Sequence, residues 1–131
     1  MPIMPARAAA AYQEVQVTSR SPLELVVMLY DGALVALEQA RAALDVGDLV
    51  AKRDAMSRSF AILAQLQGSL DLESGGEVAA RLDALYAYLS ARLTAANLQC
   101  DAAPVAEAIH LLSVVRQGWV AIAAPPLKTA V

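Results

Sequence analysis

From Ser21 to Pro125 the apolar residues of this chain recur at three- and four-residue spacing, in four stretches separated by polar or glycine-containing breaks. That period is the helical one, and no stretch sustains the two-residue alternation of a strand. Helices with an apolar stripe must bury it, so the pattern predicts an all-α protein whose helices cover one another.

The ends of the helices are legible too. Ser21-Pro22-Leu23-Glu24 supplies a hydroxyl cap, proline at the first helical position and a glutamate at the third. The first helix is therefore expected from Pro22 to about Leu44, stopped at Asp45-Val46-Gly47. Asp48 can cap a second helix bearing Leu49, Met56, Phe60, Leu63, Leu66 and Leu70. The stretch DLESGG at 71–76 breaks the pattern, and Ser74 with Glu77 reads as another capping box. The third helix places Val78, Leu82, Leu85, Leu89, Leu93 and Ala96 on one stripe. After a loop from Gln99 to Ala103, Pro104 opens a fourth, with Val105, Ile109, Leu112, Val115, Trp119 and Ile122, ended by Pro125-Pro126. Short loops between helices of about twenty residues predict an antiparallel up-down four-helix bundle over 21–124. Residues 1–20 are expected as a partly flexible N-terminal segment packed on or near the bundle, and 125–131 as a tail.

Composition narrows the function classes. The 131 residues suit one domain. Net charge is -3, with Lys and Arg scattered rather than gathered in a stripe, which argues against nucleic acid. Continuous apolar runs such as Leu25 to Tyr30 fall far short of the ~20 residues that span a bilayer, so no membrane insertion is expected. The N-terminus lacks the apolar core of a signal peptide, and a cytoplasmic location follows. One Cys100 and one His110 leave no internal disulfide and almost no room for a Cys-His catalytic pair. Glu107-Ala108-Ile109-His110 has the E-x-x-H spacing of carboxylate-bridged metal bundles, but such a site needs two of these motifs and two further glutamates. No metal or cofactor is expected, and a ferritin-like metal bundle is an alternative only if a symmetric dimer completes the ligands.

What the totals leave unexplained is a surplus of apolar side chains. The first helix carries Leu23, Val26, Tyr30, Leu34 and Leu37 on one stripe and Leu25, Met28, Leu29 and Val35 away from it. The second adds Ile62 and Leu66 beside its stripe, and the third adds Tyr86 and Tyr88. A groove that accepts another amphipathic helix accounts for the surplus as a whole. A permanent homodimer interface is the structural alternative. Within the first helix, Asp31 and Gly32 interrupt the apolar run, and an interior glycine costs about 1 kcal/mol relative to alanine. In an up-down bundle the first and third helices run parallel, which sets Tyr30-Asp31-Gly32 level with Leu85 to Tyr88. Gly32 is expected to admit a neighbouring backbone. Asp31 either accepts a hydrogen bond from a tyrosine hydroxyl or peptide amide, or faces water.

Four segments, in order, carry a resemblance: AYQEVQV at 11–17, SPLELVVMLYDGAL at 21–34, SLDLESGGEVAARLDALYAYLSARLTAAN at 69–97 and VVRQGW at 114–119. Together they resemble the FliS family of flagellar export chaperones. The resemblance implies a non-enzymatic helical bundle that binds the disordered C-terminal segment of flagellin in the cytoplasm. It also implies that the protein prevents premature polymerisation and helps deliver the subunit to the flagellar type III export gate, with gate components and other flagellar regulators as further candidate partners. The N-terminal segment around Tyr12 is implied to cover part of the binding surface and move when flagellin arrives. One departure is LYAYL at 85–89, where an acidic residue commonly separates the tyrosines. The expected contact set is Ile62, Leu66, Leu82, Tyr86, Leu89 and Leu93 for apolar contacts, Tyr12 as movable cover, and Tyr30, Asp31 and Asn97 for polar positioning.

Overall fold

The computed structural model describes residues 21–123 and contains four helices: α1 (Pro22–Val46), α2 (Leu49–Gly68), α3 (Gly76–Gln99) and α4 (Ala103–Ala123). Each follows from its ends. The Ser21 side chain accepts from the Glu24 amide at 3.1 Å, with Pro22 inside the first turn. Gly47 closes α1 in the left-handed conformation at φ 72°, where only glycine sits without a Cβ penalty, and the Asp48 amide reaches back to the Ala43 carbonyl at 2.9 Å. Asp48 then caps α2 through the Ala51 amide.

The start of α3 differs from the capping-box expectation. Its N-cap is Gly75, and no side chain caps it. Asp71 has taken the turn instead: its carboxylate accepts from the Ser74 amide at 3.0 Å and its carbonyl from the Gly75 amide at 2.7 Å. A Cβ on Gly75 would lie 2.5 Å from the Ala79 Cβ and 2.7 Å from the Asp71 carbonyl oxygen, so the tight turn excludes a side chain there. Glu77 pairs with Arg81 rather than reaching back.

The helices form a ring in which α1 packs on α2 and α4, and α3 on α2 and α4. Cross-links fix the directions. Lys52 meets Asn97 while Gln67 meets Asp83, so α2 and α3 are antiparallel. Arg58 with Gln39 and Ile62 beside Gly32 do the same for α1 with α2, and Arg116 with Asp31 and Trp119 sharing a cleft with Val26 do so for α1 with α4. The expected up-down four-helix bundle is the observed fold. The core is Tyr30, Leu37, Met56, Leu63, Leu66, Tyr86, Leu89, Leu93, Val105 and Leu112, with small residues between them.

Packing is uneven around the ring. Buried positions of α1 are largely alanine (33, 36, 40 and 43), and α2 contributes Ala55 and Ser59, so these two helices pack together most extensively. The mutual packing of α3 and α4 is the sparsest of the four pairs. By length and composition α4 is long and apolar enough to cross a membrane, which continuous apolar runs did not suggest, because Glu107, His110 and Arg116 punctuate it. Here it packs against α1 and α3 as part of the bundle.

Candidate functional site

Burial along the two outer stripes changes from one end of the bundle to the other. On α3, Leu89, Leu93 and Ala96 are buried, Leu82 and Leu85 half-buried, and Val78 is 66% exposed. On α4, which runs the opposite way, Val105 and Leu112 are buried, Val115 and Trp119 half-buried, and Ile122 is 65% exposed. The stripes thus leave the core together where α3 begins and α4 ends. The result is an open groove of about 310 Å³ lined by Val78, Leu82, Val114, Val115, Gly118, Trp119 and Ile122, without one charged side chain. Val78, Leu82 and Trp119 also border a second cleft of about 210 Å³, walled further by Val26, Leu66, Leu70 and Tyr86.

Behind this groove lies a polar knot in the core. The hydroxyls of Tyr30 and Tyr86 are 2.6 Å apart, across the diagonal between α1 and α3, with their rings edge to face at a centroid distance of 6.4 Å. The register expected for parallel first and third helices is the observed one. Burial raises the pKa of both phenols, strongly for Tyr86, because a buried phenolate has no water to solvate it. The Trp119 indole N–H is buried beside them and makes no hydrogen bond of ordinary geometry with the described residues.

A third depression, between α1 and α2, is bounded by Asp31, Gly32, Val35, Ala36, Gln39, Arg58 and Ile62. It answers what Gly32 and Asp31 do. A Cβ at Gly32 would meet the Ile62 Cδ1 at 3.3 Å, so the glycine makes room for a side chain of α2 and not for a backbone. Asp31 accepts from the Arg116 guanidinium, neither from a tyrosine or amide nor from water alone, because antiparallel α4 brings residue 116 beside it. Both partners are partly exposed, and such a pair contributes about 0–1 kcal/mol.

The structure divides the expected contact residues. Leu82 and Ile62 lie half-buried on the α3–α4 groove and the α1–α2 depression respectively, with Asp31 exposed at the edge of the latter. Tyr30, Leu66, Tyr86, Leu89 and Leu93 are packed in the core, with Leu66 and Tyr86 forming the inner wall of the end cleft. Asn97 is engaged by Lys52, whose ammonium donates to its carbonyl at 3.0 Å and its side-chain oxygen at 2.8 Å, tying the start of α2 to the end of α3. Tyr12 lies outside the described residues. Sequence reading assigned Val78, Trp119 and Ile122 to core stripes and left Val114 and Gly118 unassigned. The available signal was α4 itself, which also carries Leu111, Val114 and Val120 off its stripe and is too apolar around its circumference for a bundle corner to hide.

Glu107 of the E-x-x-H stretch accepts from the Tyr88 hydroxyl at 2.8 Å and Arg92 Nε at 3.0 Å, and these two bonds hold its carboxyl below the usual range. His110 is exposed, and no cluster of three or more His, Cys, Asp or Glu suited to a metal occurs among the described residues.

Comparison with known proteins agrees with the sequence resemblance. The family model described as "Flagellar protein FliS" matches residues 4–126. The flagellar secretion chaperone FliS of Salmonella typhimurium is 45% identical over 107 residues, covering 81% of this chain and 79% of that protein. FliSB of Pseudomonas aeruginosa is 38% identical over 106 residues, 81% and 84% of the two chains. FliS of Bacillus subtilis is 30% identical over 109 residues, 83% and 80%. All three are named as secretion chaperones, a non-enzymatic role.

Proposed function

This chain belongs to the FliS family of flagellar proteins, and from that premise we propose that it binds the disordered C-terminal segment of flagellin in the cytoplasm and keeps it from polymerising before export. Delivery of the bound subunit to the type III export gate is the second half of the proposal. The observation that carries the reading is the α3–α4 groove, lined by apolar side chains and Gly118 without one charge.

The physical requirement is specific. A segment that folds on binding must offset its ordering entropy with buried apolar area. A Val, Leu or Ile taken fully out of water contributes roughly 1.5–3 kcal/mol, and the groove presents several such side chains in part. Leu82 with Val114, Val115, Trp119 and Ile122 would clasp one face of an amphipathic guest helix. Ile62 and Asp31 would meet a further stretch of guest in the α1–α2 depression. Leu66, Tyr86, Leu89 and Leu93 act from behind as the supporting wall, and Tyr12 as the movable cover. Tyr30 and Asn97 position the helices that form the surface.

Trp119 is the chain's single tryptophan, so binding of a tryptophan-free flagellin C-terminal peptide reads as a change in its emission. Val114→Asp and Ile122→Asp put a charge on exposed positions and leave the core alone. The expected result is complex formation by the wild type, and loss of affinity by at least tenfold in each variant with unchanged helicity. Wild-type protein that stays a closed dimer and ignores the peptide would refute the reading in favour of a structural homodimer.

A further inference from the structure

The six glycines of this chain divide by what the free fold asks of them. Gly47 and Gly76 have positive φ, which side chains resist. Gly75 has backbone and Ala79 against the position of its missing Cβ, Gly32 has Ile62, and Gly68 is the last residue of α2. Gly118 fits none of these descriptions. It lies inside α4 with ordinary helical backbone, and a Cβ there would meet nothing within 4 Å among the described residues.

An interior helical glycine lowers helix stability relative to alanine, through the extra freedom of the unfolded chain and the loss of side-chain cover. At Gly118 nothing among the described residues offsets that loss. The position does, however, line the α3–α4 groove, flanked one turn back by Val114 and one turn on by Ile122. A groove floor without a side chain lets a crossing helix bring its backbone close, as at small-residue crossings generally.

Building on the flagellin-binding reading, we propose that Gly118 is the point at which the bound segment's backbone crosses α4. The guest is then a helix whose aliphatic side chains fall to either side, onto Val114 and Ile122 along α4 and onto Val78 and Leu82 across on α3. Specificity in this groove comes from the depth of approach as well as from greasiness. A guest with a bulky residue at the crossing is held off.

The test separates fold from binding. Gly118→Ala should raise the melting temperature of the free protein by about 4 °C, since the helix gains and nothing clashes. The same variant should bind the flagellin C-terminal peptide about tenfold more weakly, and Gly118→Leu more weakly still, with far-UV circular dichroism unchanged. A melting temperature that falls in Gly118→Ala would mean that this chain's own residues use the space, and the assignment would be overturned. Wild-type affinity in both variants, alongside lost binding in Val114→Asp, would overturn the Gly118 assignment and leave the groove reading standing. A wild-type protein that does not bind the peptide brings down both.

Discussion

Among single residues, Tyr30 and Tyr86 have the most at stake. Each hydroxyl is buried and bonded to the other, so removing one strands its partner, at a cost of about 1–3 kcal/mol. Tyr30→Phe and Tyr86→Phe should each destabilise the bundle by that order in urea unfolding, while the double variant loses less than their sum. The pair also sets an alkaline limit. Both phenols titrate above 10.0 when folded, so the folded state holds its protons more tightly than the unfolded chain. The stability this contributes is complete below pH 10 and is lost as pH rises through and above it. Unfolding followed from pH 8 to 12 should show a drop beginning near pH 10 that is smaller in the double variant. The level pairing of these residues was legible from helix lengths alone. That Asp31 belongs to Arg116 was not, since 85 residues separate them in sequence.

At the scale of the helix, the local signals acted where nothing competed with them. Ser21→Ala should cost about 1 kcal/mol, as for other hydroxyl caps, because it removes the acceptor of the Glu24 amide. Ser74 has the same sequence signature but loses to Asp71, whose carboxylate already holds the Ser74 amide and whose carboxyl pKa is lowered by that bond. Gly75→Ala should therefore destabilise more than Ser21→Ala, by about 1–3 kcal/mol, through overpacking against Ala79 and Asp71, and thermal melts of the two variants give the order. A four-residue motif describes which bonds are possible. Which of two neighbouring acceptors wins depends on how tightly the preceding turn is wound, and the motif does not contain that.

For the molecule as a whole, an open apolar groove in a folded bundle makes stability responsive to a guest. A flagellin peptide at a hundred times its dissociation constant should add about 2.7 kcal/mol to the wild type, and at the same concentration no more than about 1.4 kcal/mol to Val114→Asp if its affinity falls at least tenfold, so the melting temperature rises markedly less in the variant. The bundle, its helix order, its short connections and the existence of surplus apolar surface were all determined by the sequence, because caps and apolar period act within a turn or two of the residues that carry them. Where the surplus is spent was decided only in three dimensions. Leu89 and Leu93 share their stripe with Val78, yet the former are sealed and the latter is open. α1 and α2 close over small residues, while α3 and α4 have the sparsest mutual packing and their stripes lose burial together toward one end. Core and groove share one alphabet of residues, and the distance between helices, a property no single segment possesses, tells them apart.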